Sequence, residues 1–210
     1  MVMQNIVIPI IIAVVGGLIL HFFTNGWTAT KKLLNRILRR LHCKCRLKKR
    51  NRLLVYLSSG GTCRDPMAKV ITEQFLKEKS LPFKMRIEAM ALGPISAKKV
   101  SYAARNAIKA MYEEDILEFH TPKTVTKEVL DEADLVLVMD NSLMQEKILP
   151  KGKTSLFKKF FDPSDDGDVV DPYPDGKDQA TLTRYRKCAE DIKTTMEGKI
   201  DILIDRLELK

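Results

Sequence analysis

An apolar run, Leu53-Leu54-Val55-Tyr56-Leu57, passes directly into Ser58-Ser59-Gly60-Gly61-Thr62-Cys63-Arg64-Asp65-Pro66 and then into a helix-like segment beginning Met67-Ala68-Lys69-Val70-Ile71. Strand, glycine-bearing loop and helix N-terminus in that order form the opening unit of a parallel α/β sheet. The same order builds an anion site, because successive backbone N–H groups in a tight loop converge on one point and the helix dipole adds partial positive charge. Arg64 contributes a planar fork that suits a phosphate-like oxyanion. The leading position of the loop, where a thiolate would serve such a site, holds Ser58.

From Leu53 onward, short β-rich runs alternate with longer segments of helical period, so the pattern predicts an α/β fold of three layers around a central, mainly parallel, four-stranded sheet. Strands are expected at 53–57, 85–92, 135–139 and 155–157. The first helix should start at Asp65-Pro66, where Asp can cap and Pro is favoured at the first helical position. Further helices are expected at 100–112, 127–133 and 143–149. An acidic loop spans 162–178. One long C-terminal helix, 180–207, should turn Leu182, Tyr185, Ala189, Ile192, Met196, Ile200, Leu203 and Leu207 inward. Ligands of such sheets sit at the carboxyl ends of the strands, where Ser58 and Asp140 both fall.

Ahead of this domain, residues 5–23 form an uncharged run of 19 residues, interrupted only by Pro9, Gly16-Gly17 and His21. About 20 apolar residues cross a bilayer as a helix, so the run is read as a transmembrane helix after a short tail, 1–4. A cleaved signal peptide fits less well, since no basic residue precedes the run and its exit, His21-Phe22-Phe23, is bulky. The segment 24–52 carries eleven basic residues and no acid. Positive charge beside a span stays cytoplasmic, which puts the N-terminus outside and the domain on the cytoplasmic face. Trp27 belongs at the interface.

These first 52 residues hold eleven of the chain's 36 basic residues and none of its 27 acidic ones, so the remainder has a net charge of −2. The sequence pI of 9.3 therefore belongs to the tether, and no nucleic-acid partner is expected. Leu33, Leu34, Ile37, Leu38 and Leu41 recur at helical spacing, so residues 31–52 are expected to lie on anionic membrane lipid as a basic amphipathic helix. A solvated linker is the plainer alternative. Cys43, Cys45, Cys63 and Cys188 make no disulfide framework on the reducing side of a membrane, though Cys43 and Cys45 are placed for acylation. His21, His42 and His120 show no ligand spacing with them, so neither metal nor cofactor is expected.

Three pieces of the domain point the same way: the loop after the first strand, Glu132-Ala133-Asp134-Leu135-Val136-Leu137-Val138-Met139-Asp140, and Asp171-Pro172-Tyr173. Together they resemble the low-molecular-weight protein tyrosine phosphatases, which carry a Cys-x5-Arg-[Ser/Thr]-Pro loop after the first strand, a Met-Asp strand end and an Asp-Pro pair near the C-terminus. The resemblance covers essentially 53–207 and implies that 53–210 is a phosphatase-like domain whose partner is a phosphotyrosine protein or another phosphomonoester. It implies Arg64 as the clamp on the phosphoryl oxygens and Asp171 as the general acid. Ser59, Gly60, Gly61, Thr62, Cys63, Arg64 and Asp65 would cradle phosphate, Tyr173 would line the substrate mouth, and Asp140 would support the loop from behind.

The departures are as informative as the matches. Ser58 stands where the family has its nucleophilic Cys. A loop of this kind can bring a Cys pKa from about 8.5 to roughly 3.5–7.5, whereas a serine hydroxyl starts too high for the same help to ionise it. Gly61 stands where the family commonly has Asn; both tolerate positive φ. Asp65 replaces a Ser or Thr and is expected to cap the helix while setting a negative charge beside the phosphate. The sequence thus favours a membrane-tethered, phosphate-binding domain impaired in hydrolysis. One alternative is an active phosphatase in which Asp65 acts as base toward Ser58, and another is a non-catalytic scaffold at the membrane surface. Arsenate reduction requires a redox cysteine set that Ser58 and the lone Cys188 do not provide.

Overall fold

The computed structural model describes residues 51–81, 85–95 and 97–209. The span expected at 5–23 and the basic segment 24–52, apart from Asn51 and Arg52, lie outside the described residues. Among the described residues, no helix is long and apolar enough to cross a membrane.

Strand β1 (Arg52–Ser58) is buried from Leu53 to Ser58, as expected of a central parallel strand covered on both faces. It pairs in parallel with β2 (Met85–Ala91) on one side and with β3 (Leu135–Val138) on the other, and β3 pairs in parallel with β4 (Thr154–Leu156). The sheet order is β2-β1-β3-β4. Having added β2 to one edge of β1, the chain returns to add β3 to the other. The gap between the carboxyl ends of β1 and β3 is therefore the topological switch point.

Alternation along β1 divides the core. Leu54 and Tyr56 face a large cluster with α1 (Arg64–Glu78), α2 (Tyr102–Tyr112) and the C-terminal helices, where Met67, Ile71, Ala104, Ile108, Tyr185 and Ile192 pack. Leu53, Val55 and Leu57 face a smaller cluster closed by Leu130 of α3 (Lys127–Glu132) and by Leu143 of a 3-10 turn (Asn141–Gln145). The three layers are unequal. The hydroxyl that Tyr56 carries into the larger core is hydrogen-bonded to Thr72 Oγ1 at 2.7 Å, and burial raises its pKa.

Several boundaries differ from the sequence expectation. The predicted helix 180–207 is two helices, α5 (Gln179–Met196) and α6 (Ile200–Arg206), separated where Gly198 takes φ +68°. The last strand stops at Leu156, and Phe157 opens a five-residue helix, α4 (Phe157–Phe161), whose Phe157 and Phe161 rings meet edge to face. At the expected 143–149 helix the chain makes only the 3-10 turn, capped by Asp140. Pro150 lies just beyond, and a residue preceding proline disfavours the helical region.

Candidate functional site

The end of β1 delivers Ser58 to the switch point, and neighbouring backbone fixes the loop that follows. Ser58 and Ser59 accept hydrogen bonds through their carbonyls from Leu92 N (2.9 Å) and Gly93 N (3.1 Å), and the Thr62 carbonyl accepts from Ser101 N (3.1 Å). Gly61 sits at φ +66°, and a Cβ on it would lie 2.9 Å from the Ala91 Cβ and 3.0 Å from the Ala91 nitrogen. Glycine is thus required there twice, for its left-handed backbone and for the close approach of β2. The Gly61 amide donates to Ser58 Oγ at 3.1 Å, so the loop curls around the serine hydroxyl.

Helix α1 begins at Arg64, immediately beyond the loop, with Cys63 at the N-cap and no side chain capping it. This corrects the expected capping by Asp65. Asp65 is 0% exposed, inside the first turn, where its Oδ1 accepts the Ser58 hydroxyl proton at 2.5 Å and its Oδ2 has no hydrogen-bond partner. Burial pushes the Asp65 carboxyl up to about 7, against the opposing pull of the Ser58 hydrogen bond and the Arg64 charge. The carboxylate lies behind Ser58, away from the cleft lining where a phosphate would sit.

Arg64 is also buried, and three downstream groups orient its guanidinium. Nη1 donates to Asp140 Oδ2 (2.9 Å) and to the Val169 carbonyl (3.0 Å), and Nη2 donates to Asp171 Oδ2 (3.1 Å). Asp140 thus supports the loop from behind as an ion-pair partner of Arg64 and does not itself line the cleft. Its other oxygen accepts from Ser142 Oγ and Leu143 N, which ties the end of β3 to the arginine. Asp171 is different: its side chain is 47% exposed, while its Oδ1 accepts the Tyr173 amide at 3.1 Å. Tyr173 stands largely in solvent at the mouth.

These groups surround a cleft of ≈ 470 Å³. Of the loop residues expected to hold phosphate, Ser59, Gly60, Thr62, Cys63 and Arg64 line it, as do Ser58, Asp171 and Tyr173; Gly61 and Asp65 do not. The opposite wall comes from Pro94, Ala97, Lys99, Val100 and Ser101, a segment the sequence reading passed over. Asp175 was missed as well. Its two oxygens accept the Tyr102 and Ala103 amides at 2.8 and 2.9 Å, so the acidic loop caps α2. The Tyr-Pro-Asp-Gly run around Asp175 and Ser101 ahead of an apolar helix were the available signals.

The two cysteines of the domain, Cys63 and Cys188, are both buried and unpaired with each other. Cys63 Sγ lies 3.4 Å from Thr62 Oγ1, 3.4 Å from Ser101 Oγ and 3.3 Å from the Tyr185 hydroxyl, in a small polar network under the loop. Burial pushes the Cys188 thiol up to about 12. Among the described residues, no group of three or more His, Cys, Asp or Glu side chains is placed to hold a metal ion.

Comparison with known proteins bears on this geometry. A family described as low molecular weight phosphotyrosine protein phosphatase matches residues 53–207. The protein-arginine-phosphatase of Bacillus subtilis (strain 168) is 27% identical over 135 residues, covering 62% of this chain and 86% of the relative. Among solved structures, a low molecular weight protein tyrosine phosphatase from T. tengcongensis superposes with a TM-score of 0.58 at 30% identity, covering 74% of this chain and 99% of the other. A YwlE arginine phosphatase mutant with a phosphorylated active-site serine superposes with a TM-score of 0.62 at 21% identity, covering 75% and 99%.

Proposed function

The chain belongs to the low molecular weight phosphotyrosine protein phosphatase family, and from that premise we propose that it is a membrane-tethered member that holds the phosphoryl group of a phosphorylated protein in the 58–65 loop and is impaired in releasing it as phosphate. The carrying observation is the hydroxyl of Ser58 at the centre of the curled loop, with the Gly61 amide pointing at it. Loop amides and a helix terminus lower a thiol's pKa into the working range. They leave a serine hydroxyl protonated, so the usual cysteinyl route is closed while the anion cradle remains. In this reading Arg64 clamps the phosphoryl oxygens, Asp140 orients Arg64, Asp171 protonates the leaving atom and Tyr173 flanks the substrate side chain.

The uncharged run at 5–23 and the eleven basic residues of 31–52 support an N-terminus outside, a domain on the cytoplasmic face and a basic segment on anionic lipid. Phosphotyrosine is the first substrate reading. Phosphoarginine is the second, favoured by the protein-arginine-phosphatase relatives and by the Asp171 and Asp175 carboxylates on the cleft wall, which suit a guanidino group's N–H donors.

The test sets the full chain beside its Ser58→Cys variant. Both should bind vanadate, and Ser58→Cys should hydrolyse a chromogenic aryl phosphate faster by several powers of ten, as expected when a missing member of a catalytic unit is restored. Fast steady hydrolysis by the unaltered chain, undiminished in Asp171→Ala, would overturn the reading.

A further inference from the structure

Asp65 has no part in the reading above, yet it is the most unusual group near the cleft: a fully buried carboxyl with one oxygen on the Ser58 hydroxyl and the other on nothing. A carboxylate becomes less acidic when it loses water without gaining compensating donors. Here burial dominates, and the residual donors do not restore the ordinary value. The result is a base in hydrogen-bond contact with a cleft-lining hydroxyl, the geometry an oxygen nucleophile requires. Ser58 Oγ is already oriented for this use. Its proton points to Asp65 and one lone pair takes the Gly61 amide, which leaves the second lone pair for an incoming phosphorus.

We propose that Ser58 is a phosphoryl acceptor, activated by Asp65, and that the phosphoserine it forms is a long-lived product of the domain. The proposal rests on the loop holding a substrate phosphoryl group, as argued above. In the step, Ser58 Oγ bonds to phosphorus as its proton passes to Asp65 Oδ1, the bond from phosphorus to the substrate's leaving atom breaks, and Asp171 gives that atom its proton. No oxidant, reductant or co-reactant is consumed. The second half, attack by water, must break the bond from phosphorus to the Ser58 oxygen, a far poorer leaving group than a cysteine thiolate even as Asp65 returns its proton, so the adduct accumulates. The new dianion sits at the N-terminus of the 15-residue α1 beside Arg64, where dipole and guanidinium both favour it. The domain would thereby record one encounter with a phosphorylated partner as a covalent mark.

The experiment incubates the full chain with an aryl phosphate and follows released phenol and intact mass together, with inorganic phosphate binding measured separately. The expected result is a burst of at most one phenol per chain, a mass gain of one phosphoryl group and fragmentation that places it on Ser58. Ser58→Ala should bind phosphate and gain no mass. Asp65→Asn, which keeps the shape and the acceptor oxygen, should slow labelling by about 10²–10⁴-fold, the usual worth of a general base, with phosphate affinity retained. A chain that binds phosphate yet stays unlabelled, or a label at another residue, overturns the proposal. So does steady turnover with no adduct, and an Asp65→Asn chain labelled at the unaltered rate removes Asp65 from it. Absence of phosphate binding overturns the underlying functional reading instead.

Discussion

At the scale of single residues, Asp65 and Gly61 carry the sharpest consequences. The Asp65 carboxyl stands at about 7 in the folded chain against an ordinary 3.8, with burial as the main cause. A raised pKa means that the folded state keeps a proton which the unfolded state releases. Its stabilising contribution is therefore complete below about pH 4 and lost as the pH rises to about 7. At 1.36 kcal/mol per pKa unit the difference is on the order of 4 kcal/mol. Asp65→Asn should flatten that slope, so urea midpoints of the two proteins should diverge across this window; parallel curves would contradict the account. Gly61→Ala meets both the left-handed backbone and the wall of Ala91, and a cost of about 1–3 kcal/mol is expected, read as a lower unfolding midpoint together with weaker phosphate binding. The need for glycine at Gly61 was legible as backbone freedom, but the blocked Cβ was not, because it depends on a strand distant in sequence. Asp65 was misread for a similar reason: sequence offered a capping residue at a helix start, and burial against Ser58 gave the carboxyl a different partner.

At the scale of elements, the acidic loop is held more firmly than a 17-residue loop without regular structure would suggest. Asn141 donates to Asp168 Oδ1 and to the Asp166 carbonyl, Arg64 to the Val169 carbonyl, Arg184 to the carbonyls of Pro172 and Pro174, and Asp175 caps α2. Asp175→Ala should cost about 1 kcal/mol, the usual worth of a helix cap. It should also speed amide exchange at Tyr102, Ala103 and the 171–175 segment together. Exchange that changes in α2 alone would show that the loop does not depend on this latch. The central strands were readable as short continuous apolar runs and the amphipathic helices by their period. The split between α5 and α6 was hidden, since Ile200, Leu203 and Leu207 continue the inward period of α5 across Gly198. The helix α4 was too short to show a period at all.

At the scale of the whole molecule, the charge separation invites a direct test. The chain from residue 24 onward, without the apolar run, should bind vesicles containing anionic lipid, ignore neutral vesicles and be released as salt shortens the Debye length. Binding that is indifferent to lipid charge would leave the basic segment as a linker only. The domain's family and the architecture around its switch point were legible because loop, strand end and Asp-Pro pair occur in order in the sequence. What holds Arg64 was not legible, since it depends on three separate segments meeting.

That meeting also dictates when the cradle can exist during synthesis. The acceptors of Arg64 lie 76, 105 and 107 residues downstream of it, so a nascent chain has made β1, the loop and α1 long before anything can neutralise the guanidinium. At about 5–20 residues per second this interval lasts seconds. A chain terminated before Asp140 would keep every residue of the 58–65 loop and still lack all three acceptors of Arg64, so premature truncation would leave the residues of the cradle present but the cradle unassembled.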